Sequence, residues 1–190
     1  MASGNAGKIR EIARLLEGLG GDVVAQTELG VTDAEETGAT FAENSLIKAQ
    51  HAAQATGLPA IADDSGLSVD ALDGAPGVYS ARYAGGAGDE ANNDKLLAAL
   101  EGVENRGAAF HCVATFVDPA AGEALVAAGE WRGSILHERQ GDGGFGYDPL
   151  FFVPDCNCSS AELAPEQKNA RSHRGQALRK LVELIQQKYA

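Results

Sequence analysis

The apolar residues Ile9, Ile12, Leu15, Leu16 and Leu19 recur at the three- and four-residue spacing of one helix face, and Gly20-Gly21 end the run. Residues 22–26 then read as a strand. Thr40-Phe41-Ala42-Glu43 has the form of a capping box, so a helix is predicted from there to about Thr56, where Gly57 and Pro59 stop it. Along that helix Asn44 and Lys48 lie four apart and share a side, a pairing expected of a solvated face. Residues 58–61 form an apolar run that predicts a buried strand, which ends in Ala62-Asp63-Asp64-Ser65-Gly66. Residues 67–72 alternate as a further strand.

A helix over 89–100 turns Leu96, Leu97 and Leu100 inward. Two strands, 110–117 and 124–135, are joined by a turn at Pro119-Ala120-Ala121-Gly122. Residues 150–153 predict one more strand, and Ala177, Leu178, Leu181, Leu184 and Ile185 mark a last helix with Ser172 as its N-cap. No repeat or low-complexity stretch interrupts this alternation of helix and strand, which points to an α/β fold.

The chain of 190 residues, 44% of them hydrophobic, is long enough to bury a core as one domain or one domain with two lobes. It has no run of 18 apolar residues, and its start lacks the basic and apolar regions of a secretory signal, so a cytoplasmic protein is expected. Three cysteines, an odd number, fit a reduced compartment. Cys112 lies in an apolar run and reads as core. Cys156 and Cys158 form a C-x-C pair without a second pair or a nearby histidine to complete a zinc site. The net charge of −12 argues against wrapping nucleic acid. A small anionic substrate remains open, provided a few basic residues gather in one pocket with a divalent cation.

Candidate chemistry falls at four places. Gly4-Asn5-Ala6-Gly7-Lys8 opens the first helix, where free amides, the positive dipole end and an ammonium suit an anion. The spacing is too short for a Walker A loop, and plain capping by Asn5 is the simpler alternative. Asp63 and Asp64 stand where the predicted strand ends and, being adjacent, point to opposite faces. One of them could hold a metal or take a proton from water, although Asp, Ser and Gly are also ordinary turn residues. Gly143-Gly144-Phe145-Gly146-Tyr147-Asp148 leaves a flat ring beside open backbone. Finally, His173 and Arg174 occupy a helix start, where cations are disfavoured, so a negative or acceptor-bearing partner is expected for them.

Taken together, these motifs resemble the non-canonical purine nucleoside triphosphate pyrophosphatases, the inosine triphosphatases or dITP/XTP pyrophosphatases. The resemblance runs from Ser3-Gly4-Asn5-Ala6-Gly7-Lys8 to Ser172-His173-Arg174-Gly175-Gln176-Ala177-Leu178. It implies a single domain over 1–190, with a mixed, strongly twisted central sheet flanked by helices and two lobes with the active-site cleft between them. The implied reaction cleaves ITP, dITP or XTP to the monophosphate and pyrophosphate with Mg2+, in a homodimer.

Carried over by residue, Ser3, Gly4, Asn5, Ala6, Gly7 and Lys8 would cradle phosphates, and Lys48 would serve the phosphate side. Asp64 would be general base and metal ligand, Glu36 a second acid at the metal, and Ser65 a substrate contact. Phe145, Gly146, Tyr147 and Asp148 would wall the base and sugar, and Lys168, His173 and Arg174 would read the purine. One departure is that only Met1 and Ala2 precede Ser3, where the family normally has an apolar strand, so further residues are expected upstream. A Maf-type pyrophosphatase acting on modified nucleotides and a non-catalytic nucleotide-binding module are the alternative readings.

Overall fold

The computed structural model describes residues 1–2, 9, 12–13 and 23–189. The Ser3–Lys8 loop and most of the first predicted helix lie outside the described residues; Ile9, Ile12 and Ala13 are helical, and Ile12 is fully buried. Four helices follow in chain order: α1 (Phe41–Thr56), α2 (Asp89–Ala99), α3 (Pro165–Arg171) and α4 (His173–Tyr189). Five strands, β1 (Ala60–Val69), β2 (Gly107–Val117), β3 (Ala124–Ile135), β4 (Phe151–Val153) and β5 (Cys158–Ser159), form one sheet in the order β1-β2-β3-β4-β5. β4 pairs antiparallel with both β3 and β5, through Ser134 opposite Phe152 and Val153 opposite Cys158.

α1 begins and ends where its signals stand. Thr40 Oγ1 accepts from the Glu43 amide at 3.2 Å, the Glu43 carboxylate accepts from the Thr40 amide at 3.0 Å, and Gly57 closes the helix at φ 69°. Residues 23–26 do not form the predicted strand: residues 23–25 are irregular, and Gln26–Leu29 is a 3-10 turn. Their described ladder-like bonds reach only Met1, whose ammonium donates to the Val24 carbonyl at 2.9 Å and whose carbonyl accepts from the Gln26 amide at 2.9 Å.

A larger correction concerns β1. The predicted strand end at Asp63-Asp64 does not exist, because a single ten-residue strand runs straight through Asp63, Asp64, Ser65 and Gly66. Two adjacent acids survive inside a strand when each meets its own cation, and both do here, as described below.

Two compact units emerge, with boundaries inside β1, β2 and β3. In the unit comprising Met1–Asp64, Cys112–Gly129 and Ser172–Ala190, one cluster packs Ile12, Cys112, Ala114 and Phe116 against Ala177, Leu178, Leu181 and Ile185 of α4. A second cluster is built of alanines, Ala49, Ala52 and Ala53 of α1 against Ala60 and Ala62 of β1, which permits close approach of helix and strand. The unit comprising Ser65–His111 and Glu130–Arg171 is built around fully buried Phe151, whose ring lies 4.5 Å from Phe110 and 5.2 Å from Trp131 between centroids. Buried Arg106 ties this unit together through donors to the carbonyls of Leu100, Ile135 and Leu136, each within 2.8 Å.

Candidate active site

In the first unit the site grows from β1 and α1. Lys48, on the middle of α1, donates through Nζ to Asp64 Oδ1 at 2.8 Å and to Glu36 Oε1 at 2.8 Å. Asn44, one turn earlier, is fully buried; its Nδ2 donates to Asp64 Oδ2 at 3.4 Å, while its Oδ1 accepts from the Gly38 amide at 2.8 Å. The Asn44/Lys48 side of α1 is therefore not a solvated face. It bridges the loop carrying Glu36 to the strand carrying Asp64. Beside it Ser45 Oγ donates to Thr115 Oγ1 at 2.7 Å and fastens α1 to β2.

Burial opposes the charge on Lys48, but Asp64 and then Asp63 outweigh it, so its pKa lies above the ordinary lysine value. The ammonium stays charged at neutral pH. Two carboxylates converge here on one cation. Hard oxygen donors, one of them on a side chain 30% exposed, suit magnesium, which takes one or two carboxylates plus substrate phosphates. Among the described residues no group of three or more His, Cys, Asp or Glu gathers as a metal site.

Asp63 points the other way, as the strand pleat requires. Its Oδ2 accepts from Arg174 Nε at 3.2 Å, with the two side chains 0% and 3% exposed, and lies 3.8 Å from the Cys112 thiol. Arg174 thus finds the negative partner that its place at a helix start called for. Ser172 caps that helix, its Oγ accepting from the Gly175 amide at 3.1 Å, and His173 is buried beside Arg174. Gly129 of β3 allows this start to approach: a Cβ there would overlap the His173 carbonyl oxygen and sit 2.8 Å from the Ala177 amide.

The second unit carries the other cluster. Lys168 of α3 donates to Asp148 Oδ2 at 2.7 Å, with both side chains buried, and its Nζ stands 4.8 Å from the centre of the Phe145 ring. The Asp148 carboxylate also accepts from the Phe145 amide at 2.8 Å and from Ser160 Oγ at 2.7 Å. It is the knot of the loop. Gly144 makes that knot possible, because its φ is 76° and any Cβ would collide with the Asp148 carboxylate. Tyr147 is buried and donates to the Ser80 carbonyl at 2.8 Å; burial first, then Tyr83 and Asp89, push its pKa up.

The structure therefore joins Glu36, Lys48 and Asp64 in one cluster, His173 and Arg174 with Asp63 in the same unit, and Phe145, Gly146, Tyr147, Asp148 and Lys168 in the other unit. Ser65 is half-buried on β1. Ser3, Gly4, Asn5, Ala6, Gly7 and Lys8 fall outside the described residues. Asn44 and Ser160 were not among the expected site residues, although the four-residue spacing of Asn44 from Lys48 hinted at the first; Asp63 was expected only as the alternative to Asp64, and its partner is Arg174.

A sheet flanked by helices, with a strand carboxylate tied through a helix lysine to a loop carboxylate, defines an α/β protein. The sequence profile of the Ham1 family matches residues 1–184, and the chain belongs to that family. It is 58% identical over 192 aligned positions to the dITP/XTP pyrophosphatase of Pectobacterium atrosepticum, covering 97% of this chain and 96% of that one. Identity to the enzyme of the same name from Yersinia pseudotuberculosis is 59% at the same coverage. Among solved structures, a HAM1 protein from Coxiella burnetii superposes with a TM-score of 0.89 at 49% identity, covering 98% of this chain and 96% of that one. The nucleoside-triphosphatase, or dITP/XTP pyrophosphatase, of Mycobacterium abscessus gives 0.73 at 46% identity and 97% coverage of both.

Proposed function

We propose that this protein hydrolyses ITP, dITP and XTP to the nucleoside monophosphate and pyrophosphate, removing them from the nucleotide pool. The observation that carries the reading is that Lys48 bridges the Asp64 and Glu36 carboxylates while Asn44 donates to the second Asp64 oxygen. In this reading Asp64 takes the proton of the attacking water, a role worth about 10²–10⁴ in rate. Asn44 holds the second Asp64 oxygen so that the first stays aimed. Lys48 stays charged and meets the phosphates, joined by Ser3, Gly4, Asn5, Ala6, Gly7 and Lys8. Asp64 and Glu36 would hold a magnesium ion, which neutralises phosphate charge and polarises the phosphoryl oxygens when bound.

Base selection rests on donors. Hypoxanthine and xanthine present a 6-oxo acceptor where adenine presents an amino group. Donors from His173 and Arg174 would be matched by the first and stranded by the second, at about 1–3 kcal/mol for each stranded group. Phe145 supplies a ring face for the purine, and Lys168 with Asp148 stiffens it. The family resemblance supports a homodimer, which light scattering would test. A cytoplasmic location is supported by the nucleotide-pool substrate and by three cysteines without a disulfide; among the described residues no helix is long and apolar enough to cross a membrane.

The test is pyrophosphate release from ITP, dITP, XTP, GTP, ATP and modified pyrimidine triphosphates. The expected order places the first three at least about 10²-fold above ATP in kcat/KM. Chelation should stop release and added magnesium should restore it. Preferred turnover of the pyrimidines would overturn this reading in favour of a Maf-type enzyme. Binding of ITP with magnesium but without pyrophosphate release would leave a binding module.

A further inference from the structure

The loop carrying Phe145 is gripped from a second direction by a helix that no site motif includes. Asp89 opens α2 and Asn93, four residues on, shares its face. Asp89 Oδ2 accepts from the Gly146 amide at 2.7 Å, and Asn93 Nδ2 donates to the Gly146 carbonyl at 3.0 Å. The peptide groups on both sides of Gly146 are thereby fixed, one leading back to Phe145 and the other on to Tyr147. Earlier in the same loop Arg139 Nη2 donates to Asp94 Oδ1 at 2.7 Å and to the Glu90 carbonyl at 3.1 Å, an exposed attachment that adds little by itself.

Asn93 is an odd choice for stability alone. It is 1% exposed, and its Oδ1 has no protein hydrogen-bond partner among the described residues, since its amide nitrogen is committed to Gly146. A buried acceptor left unmatched is costly, whereas an apolar side chain would fill the same space without that cost. Gly146 itself is half-exposed, so water would satisfy its carbonyl if Asn93 were absent. Among the described residues, the one bond Asn93 makes to another element is the one that holds this carbonyl.

We propose that Asp89 and Asn93 are positioning residues for base recognition: together they clamp Gly146 and set the orientation of the Phe145 ring toward the purine. The inference rests on the reading of Phe145 to Asp148 as the base wall. It predicts a separation that a merely structural role would not produce, because loosening the clamp weakens nucleotide binding while leaving phosphate binding and stability alone.

The experiment compares Asn93→Leu, Asp89→Ala, Asp89→Asn and Phe145→Ala in the full-length protein with magnesium present. It measures kcat and KM for dITP and dATP, inhibition by pyrophosphate, and melting temperature. Asn93→Leu should raise KM for dITP by about three- to tenfold, with kcat held within about twofold. The dITP-to-dATP ratio of kcat/KM should fall by a similar factor. Inhibition by pyrophosphate, which has no base, should stay within about twofold, and melting within about 3 °C of the parent. Asp89→Ala should act in the same direction, and Asp89→Asn, which keeps an oxygen for the Gly146 amide, should restore the parental KM.

Unchanged KM in both Asn93→Leu and Asp89→Ala, beside a raised KM in Phe145→Ala, overturns the clamp and leaves the base wall standing. An unchanged KM in Phe145→Ala overturns the base wall and the clamp's role with it. A parallel loss of pyrophosphate inhibition, nucleotide binding and melting temperature would make the contacts structural only and also overturn the proposal.

Discussion

Removing the Arg174 side chain would do two things at once, and the structure allows them to be separated. Arg174 Nε and Asp63 Oδ2 are 3.2 Å apart, with the side chains 3% and 0% exposed, so solvent screens neither group. Truncating one member of such a pair leaves a buried charge uncompensated and costs about 3–5 kcal/mol. That is a large part of the roughly 5–15 kcal/mol that holds a domain folded. Arg174→Met alone would therefore lose activity through unfolding as well as through any lost contact to the base. Asp63→Asn should cost less, about 2–4 kcal/mol, because its amide oxygen still accepts from Nε. In the double variant neither charge remains, and the loss should fall short of the sum by about 1.5–3 kcal/mol.

Urea unfolding of the four proteins at pH 7 reads that coupling directly. Losses that add to within about 0.5 kcal/mol would refute the pairing. The specificity ratio, measured where every variant is folded, reads the other role. Arg174→Met should lower kcat/KM for ITP over ATP by at least about tenfold, or 1.4 kcal/mol, whereas Asp63→Asn, which keeps the guanidinium, should lower it less. An unchanged ratio with uniformly weaker binding would place Arg174 at phosphate instead.

Asp64→Asn should lower turnover by about 10²–10⁴ with nucleotide affinity retained, as pre-steady-state kinetics and calorimetry would show; near-normal turnover would move the base to another acid. Gly144→Ala should destabilise by about 1–2 kcal/mol in thermal unfolding and raise KM, because an alanine at φ 76° is strained and displaces the Asp148 carboxylate. Tyr147 is held neutral by burial, so its contribution is intact below the unfolded phenol value of about 10 and falls as pH rises above it. The urea midpoint should drop more steeply from pH 9 to 11 in the parent than in Tyr147→Phe, and equal slopes would refute this.

What could be read in advance follows the range of the forces involved. The caps of α1 are local: Thr40, Glu43 and Gly57 act within one helical turn, and the structure keeps that helix from Phe41 to Thr56. The strand through Asp63 and Asp64 could not be read, because Asp63 is matched by an arginine 111 residues away and Asp64 by a lysine on another element. Without those partners two acids followed by Ser and Gly look like a turn. Asn44 and Asn93 escaped for the same reason: in a helix an asparagine reads as surface, and only the tertiary contacts reveal that both are buried. β5, two residues long, carries no periodicity at all. The knot at Asp148 was legible only as a glycine-rich aromatic loop, since Ser160 and Lys168, which tie it, stand outside the motif.

Adjacent acids in one buried site ordinarily work against each other, since each raises the other's affinity for protons. Here the pleat of β1 sends Asp63 and Asp64 to opposite faces, and each meets its own cation, Arg174 on one side and Lys48 on the other. The pairing leaves β1 close to neutral although it carries two acids. Asp63 still acts across the strand, because its charge, after that of Asp64, helps to keep Lys48 protonated against the cost of burial. A lysine already charged before substrate arrives has a consequence for the reaction. In the proposed reaction the phosphates of an incoming nucleotide would meet a fixed positive charge and need bring no proton with them. In that reaction Asp64, balanced by the same ammonium, would be the carboxylate that accepts a proton when water attacks. Reversing the order of these roles along the strand would put the base against a buried arginine and leave Lys48 facing the wrong acid.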